Sequence, residues 1–153
     1  MARTLVFGTG ILLLSLLAGG VALAKAKTAK LTVSGPGISQ PIELTHQDAI
    51  SAGVWSGTFI DRRAGPVEAP SADIPRYMVQ FHVNVRVDEL RMVYVVYYAW
   101  DAANGRALVQ LPAVEDEWSR LNDSTIARCC RGQWYYATDP WGQTIRAALP
   151  PQI

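Results

Sequence analysis

The sequence predicts an α+β domain: a mainly antiparallel β-sheet with a central meander at about residues 76–111 and one or two short helices packed on it. Apolar residues alternate with polar ones over residues 77–87, a period of two that is typical of a half-buried strand. Asn104-Gly105 is a strong turn signal between two further apolar runs. Apolar residues at four-residue spacing over residues 141–149 indicate an amphipathic helix that covers the sheet.

The meander has an expected register. A two-residue turn at Asp88-Glu89 would join strand 77–87 to strand 90–100, and the turn at Asn104-Gly105 would lead into strand 107–111. This register places the following pairs on the buried face: Phe81 with Val96, Tyr77 with Trp100, Val109 with Trp100, and Leu111 with Tyr98.

Shorter elements flank the meander. We expect strands at 31–34 and 42–45, a strand or an extended segment at 55–61, and a last hairpin formed by strands 124–128 and 134–137. Thr45 is the expected N-cap of a helix over residues 46–52, and Asp139-Pro140 the expected start of the C-terminal helix. Residues 115–121 are expected to form an acidic turn or short helix, and the Pro-rich stretch 65–75 a loop.

The N-terminal segment is apolar. Residues 4–24 contain no charged side chain, follow Arg3 and end in small residues, which is the pattern of an export signal cleaved after Ala24. The alternative is an uncleaved membrane anchor, because about 20 apolar helical residues cross a bilayer. The more basic flank of a membrane helix stays in the cytoplasm. Three lysines (Lys25, Lys27 and Lys30) follow the apolar segment and only Arg3 precedes it, which argues against an anchor with an exported domain. The expected organisation is therefore a signal or anchor at 1–24, a basic lead-in at 25–30 and one globular domain at 31–153.

Composition excludes several function classes. Of 153 residues, 14 are basic and 13 acidic, so the formal net charge is only +1, and removal of residues 1–24 takes away Arg3 and leaves zero. A nucleic-acid-binding protein that neutralises many phosphates is therefore not expected. Two cysteines cannot form a four-cysteine zinc site or a disulfide-dense scaffold. Neither a metal nor a cofactor is predicted, because no P-loop, dinucleotide fingerprint, G-x-S-x-G or H-E-x-x-H motif is present.

Candidate ligand contacts lie on the polar side of the predicted meander. Gln80, His82 and Tyr97 are expected on the outer sheet face, where His82 acts as a general base or ligand contact, or is simply a half-exposed strand residue. An outward tyrosine, either Tyr97 or one of the pair at 135–136, is suited to stacking on a sugar or peptide. We predict no catalytic residue.

The adjacent pair Cys129-Cys130 is the most unusual local feature. In an oxidising compartment these thiols could form a vicinal disulfide, pair with another chain or stay reduced. Arg128 and Arg131 flank the pair and would favour thiolates, as a redox role requires.

Several segments together resemble a family of uncharacterised exported bacterial proteins. They are LTVSGPGISQPIELT (31–45), WSGTFID (55–61), VYVVYYAWDAANGRALVQLP (93–112) and NDSTIAR before WYYA. The resemblance covers nearly all of the chain after the apolar segment and implies export and one compact domain. It supplies no activity, ligand or site residue, and the adjacent cysteines are not part of the family pattern.

The expected function is that of an exported, non-enzymatic domain of the cell envelope or extracellular space, which binds a protein, glycan or other envelope component. It would be secreted, or held at the membrane through residues 4–24. The alternative is a small extracytoplasmic enzyme or redox protein that uses His82 or the Cys129-Cys130 pair.

Overall fold

Six strands pair in antiparallel fashion to form one sheet in a computed structural model that describes residues 27–52, 57–122 and 130–151. The strand order is β2-β1-β3-β4-β5-β6. The strands are β1 (Thr28–Ser34), β2 (Ile42–Leu44), β3 (Arg76–Arg86), β4 (Glu89–Asp101), β5 (Arg106–Gln110) and β6 (Trp134–Tyr136). The helices are α1 (Gln47–Ile50), α2 (Ser119–Asn122) and α3 (Asp139–Ala148), and Arg62–Ala64 form a 3-10 turn. The α+β class and the mainly antiparallel sheet are confirmed.

The apolar segment at 1–24 lies outside the described residues. Among the residues that are described, no helix is both long enough and apolar enough to cross a membrane.

The β3–β4 hairpin forms the expected pair of strands, but the predicted register is wrong by two residues as far as Phe81 and by three from His82 to Asn84. Phe81 lies opposite Tyr94 and Tyr77 opposite Tyr98, because the turn is Val87-Asp88 and Arg86 lies opposite Glu89. Asp88 takes a left-handed φ of 64°, which an aspartate tolerates better than most residues. As far as Phe81 this shift of two residues leaves the side chains on their predicted faces, because side chains alternate with a period of two. An irregularity between Phe81 and His82 then places Met92 opposite His82 and Val93 in the core, and Val87 is exposed in the turn.

The β4–β5 connection is longer than predicted. Asp101 lies opposite Arg106, so four residues form the turn and Val109 pairs with Tyr98 rather than Trp100. The Asp101 carboxylate accepts hydrogen bonds from the backbone N–H groups of Ala103 (3.0 Å) and Asn104 (3.3 Å), which stabilises the longer turn. Leu111 does not pair with Tyr98, and instead makes an isolated bridge to Arg131.

The core lies between one sheet face and helices α1 and α3. Trp141 of α3 is 1% exposed, with its ring centroid 5.3 Å from that of Phe59 and 6.2 Å from that of Phe81. Tyr98 donates a hydrogen bond to the carbonyl oxygen of Gly142 at 2.9 Å, which joins β4 to α3. The predicted role of the C-terminal helix is thus confirmed, as is the inward position of Trp141, Ile145 and Leu149.

The short elements differ from prediction mainly at their ends. Helix α1 is one turn with His46, not Thr45, at its N-cap, and α3 is capped by Thr138 rather than Asp139. Residues 57–61 form a turn and one bridge instead of a strand. Strand β6 pairs with β5, while its predicted partner strand at 124–128 lies outside the described residues. The acidic segment ends in the single turn α2.

Candidate functional site: a polar cluster on the outer sheet face

The sheet face opposite the core is divided into a covered half and a polar half. On the covered half Val95 and Ala99 are fully buried and Leu108 is 4% exposed. Val67 and Ile74 of the Pro-rich loop pack there, and α2 lies against β4. This covering leaves the outer face of β2, β1 and β3 as the part of the sheet suited to contact a ligand.

Five polar side chains share that outer face, and we call them the polar cluster: Lys30, Thr32, Glu43, Gln80 and His82. The strand register explains their proximity. Thr32 lies between Glu43 on β2 and Gln80 on β3, and Lys30 lies opposite His82. Residues directly opposite on neighbouring strands have side chains on the same face about 5 Å apart.

The hydroxyl of Thr32 connects Gln80 to His82. Its Oγ1 donates to Gln80 Oε1 at 2.7 Å and lies 3.0 Å from His82 Nε2. A hydroxyl has one proton, so with that proton given to Gln80 the imidazole Nε2–H must be the donor to Thr32. His82 Nδ1 then carries a lone pair that can accept a hydrogen bond from a ligand.

The cluster is electrically neutral at pH 7. Lys30 Nζ and a Glu43 carboxylate oxygen are 2.5 Å apart, so these two charges compensate each other. Partial burial lowers the pKa of His82 below its ordinary 6.5, and the positive charge of Lys30 lowers it further, while Glu43 acts in the opposite direction. His82 is therefore the neutral imidazole that the hydrogen-bond pattern requires.

Tyr97, the third predicted contact, borders the cluster without joining it. Its register partner is Met78, and its hydroxyl donates to Asp116 Oδ2 at 2.6 Å. Burial, this hydrogen bond and the charges of Asp116 and Glu117 all raise the pKa of Tyr97. The Tyr97 hydroxyl thus holds the segment around Asp116 against β4. The residue opposite His82 is Met92, not Val95 or Tyr97 as the predicted register implied.

Cys130 lies away from the polar cluster, on the core side of the sheet. Cys130 is half-buried and lines a cavity of about 240 Å³ together with Ile60, Leu111 and Tyr135. Cys129 is outside the described residues, so the pairing of the two sulfurs stays a prediction.

The two adjacent tyrosines face opposite sides of the sheet. Tyr135 is buried in the core, whereas Tyr136 points outward. The guanidinium carbon of Arg106 lies 3.6 Å from the centroid of the Tyr136 ring, a cation–π contact that already occupies one face of the ring.

Metal ligands are not gathered in the part of the chain that the structure describes. No group of three or more His, Cys, Asp or Glu side chains comes close enough there to hold an ion. The polar cluster itself contains one histidine and one carboxylate, and that carboxylate is paired with Lys30. The polar cluster presents hydrogen-bond donors and acceptors.

Sequence reasoning found Gln80 and His82 but missed Lys30, Thr32 and Glu43. A signal was present, since polar residues recur at positions 30, 32 and 34 with a period of two. The pairing of β1 with β3 could not be predicted from the sequence, because Thr32 and Gln80 are 48 positions apart and no single turn connects their strands.

Comparison with known proteins adds no relative: no family model, no curated protein and no solved structure matches the chain. The resemblance to an exported bacterial family accordingly stays a prediction.

Proposed function

We propose that this chain is an exported, non-enzymatic domain that binds a glycan of the cell envelope or its surroundings through the polar cluster. The observation that carries the proposal is the hydrogen-bonded series Gln80, Thr32 and His82, which orders partly buried side chains from two strands on the outer sheet face. Side chains held in place before a ligand arrives lose less entropy on binding.

The chemistry of the cluster favours an uncharged ligand with many hydroxyls. The Lys30–Glu43 pair and the neutral His82 give no net charge to attract an ion. The cluster nevertheless offers donors in Lys30 and the Gln80 amide, and acceptors in Glu43 and His82 Nδ1. Sugar hydroxyls donate and accept at once, so they match such alternating partners.

The test is calorimetric titration of the domain with neutral oligosaccharides, for which we name chitotriose, cellotriose and maltotriose. For the sugar that binds, we expect Gln80→Ala and His82→Ala each to weaken affinity by about two- to tenfold, since a lost hydrogen bond costs about 0.5–1.5 kcal/mol. Gln143→Ala is the matched control, because Gln143 is exposed on α3 across the sheet from the cluster. The proposal fails if none of the three sugars binds, or if the cluster variants bind as tightly as the control.

A second function, acyl transfer, is favoured by one distance. Thr32 Oγ1 and His82 Nε2 are 3.0 Å apart, within the reach of a nucleophile and its general base. Against this, Thr32 is 8% exposed and its proton is directed to Gln80 rather than to the imidazole. A burst of p-nitrophenol from p-nitrophenyl acetate that is absent in Thr32→Val would favour the enzyme, and we expect no burst.

A further inference from the structure

A cavity of about 240 Å³ lies at the free edge of β6, where a loop joins this strand at two points and leaves it between them. Ile60 makes an isolated bridge to Ala137, and Val67 makes another to Trp134. The loop therefore takes seven residue steps (60 to 67) where the strand takes three (134 to 137). The extra residues at 61–66 cannot lie flat along the strand, and the cavity remains beside them. We call it the edge cavity.

Backbone hydrogen bonds hold the loop in place around the edge cavity. The N–H of Asp61 donates to the carbonyl oxygen of Tyr136 at 2.9 Å, beside the first bridge. The N–H of Gly65 donates to the carbonyl oxygen of Arg62 at 3.3 Å, and Gly65 takes the left-handed φ of 70° that favours glycine. Because these walls are fixed before a ligand arrives, little conformational entropy is lost on binding.

The interior of the edge cavity is mainly apolar. Its lining includes Ile60, Pro66, Leu111 and Tyr135, with Cys130 beside them. Leu111 is 2% exposed and Tyr135 is 6% exposed, so the floor of the cavity is part of the core. The Tyr135 hydroxyl donates to Gln133 Oε1 at 2.9 Å and is thus already paired. An interior of this kind suits a hydrocarbon group.

Arg62 is the only charged residue among the described lining residues of the edge cavity. It is exposed, so its charge lies where the cavity opens to solvent. Its acidic neighbour Asp61 is paired with Arg106 at 3.4 Å, and within the described part of the chain Arg62 enters no ion pair. A guanidinium group binds a carboxylate through two parallel hydrogen bonds. An apolar interior with an uncompensated cation at its opening therefore favours an anion that carries a hydrocarbon chain.

The volume of the edge cavity indicates the length of that chain. An apolar cavity of about 150 Å³ accommodates benzene, which corresponds to about 25 Å³ for each non-hydrogen atom. At this ratio, about 240 Å³ accommodates about ten non-hydrogen atoms, as many as octanoate contains.

We propose that the edge cavity binds an aliphatic carboxylate of about eight carbons, whose chain contacts Leu111 and Tyr135 and whose carboxylate pairs with Arg62. This site lies on the core side of the sheet, whereas the polar cluster lies on the outer face. It is therefore a second site, and it does not depend on the ligand that the polar cluster binds.

The test is an amide chemical-shift titration of the protein with butyrate, hexanoate, octanoate, decanoate and octanol. We expect affinity to rise about fourfold for each added methylene as far as octanoate, and then to level off because the cavity is full. Octanol, which has no charge, should bind about fivefold more weakly than octanoate. The absence of saturable binding, or equal affinity for octanol and octanoate, overturns the proposal.

A pair of adjacent arginines provides matched variants. Arg62→Gln should weaken octanoate binding by about fivefold and leave octanol binding unchanged, since only the charge contact is lost. Arg63→Gln removes the same charge from an exposed neighbour that does not line the cavity, and should bind octanoate as the unmodified protein does. Equal losses in the two variants would show a general effect of charge and would overturn the pairing with Arg62.

A third variant tests the location of the site. Cys130→Phe should fill the edge cavity and abolish octanoate binding, with folding checked by circular dichroism. If this variant does not fold, the unmodified protein decides the matter: octanoate should shift the amides at 60–66, 111 and 130–135 most, and shifts confined to other residues contradict the proposal. Gln80→Ala should leave octanoate binding unchanged, so the two proposed sites fail separately.

Discussion

The imidazole of His82 is half-buried between Lys30 and Thr32, and this position has a measurable consequence. Because its pKa is below 6.5 in the folded domain, the unfolded chain binds the proton more readily at mildly acidic pH. The contribution of His82 to the free energy of unfolding is therefore complete above pH 6.5. It decreases as the pH falls through the window between 6.5 and the lower native value, and then levels off.

We predict that His82→Gln flattens the dependence of stability on pH in this window. Urea unfolding followed by tryptophan fluorescence between about pH 5 and pH 7.5 measures the slope directly. His46→Gln is the control, since His46 is exposed at the start of α1 and does not belong to the polar cluster. If His82→Gln keeps the slope of the unmodified domain, the environment described for His82 is wrong.

At the scale of elements, the hydrogen bond between Tyr97 and Asp116 holds the segment around Asp116 against β4. Asp116 accepts from the Tyr97 hydroxyl at 2.6 Å and, through its other oxygen, from the backbone N–H of Trp118 at 2.9 Å. We predict that Tyr97→Phe speeds hydrogen exchange of the amides at 116–119 by roughly tenfold, the effect of losing about 1.5 kcal/mol from a bond to a charged acceptor. Tyr136→Phe is the comparison, and equal exchange in both variants would show that the segment is held by packing alone.

Helix α3 approaches β5 too closely for a larger residue than glycine at position 142. A Cβ placed on Gly142 would meet the Ala107 Cβ at 2.6 Å. We predict that Gly142→Ala lowers the free energy of unfolding, because the overlap costs about 1–3 kcal/mol while alanine regains only about 1 kcal/mol of helix propensity.

The change is measured by chemical denaturation beside Gln143→Ala, an exposed neighbour on the same helix that should alter stability by less than about 0.5 kcal/mol. A stabilised Gly142→Ala would mean that α3 and β5 are farther apart than described.

The elements that sequence reasoning recovered are those with local signals. The period of two over residues 77–87 and the helical spacing of Trp141, Ile145 and Leu149 fixed which faces are buried. The registers were wrong because the turns depend on details that periodicity does not contain, namely the left-handed Asp88 and the capping of residues 103–104 by Asp101. Both errors were shifts of two residues over Tyr77 to Phe81 and over β5, which is why the buried face survived there, whereas the irregularity between Phe81 and His82 exchanged the faces of Met92 and Val93.

At the scale of the whole molecule, long-range pairing decided what could be predicted of the site. Gln80 and His82 were found from the alternation of their own strand. Their partners Thr32 and Lys30 lie on β1, which joins β3 across about 50 residues of intervening chain. One sheet face packs against the core and half of the other face is covered, so the proposed ligand surface is confined to the polar cluster.

The central claim, that the polar cluster is the ligand surface, is tested most directly by amide chemical-shift mapping with the oligosaccharide that binds in the calorimetric panel. The account predicts that the largest shifts fall at residues 30–32, 43 and 80–82, and that they shrink in Thr32→Val, which breaks the link between Gln80 and His82 without removing either side chain. Shifts confined to other surfaces, such as the cavity beside Cys130, with the cluster unmoved, would contradict it.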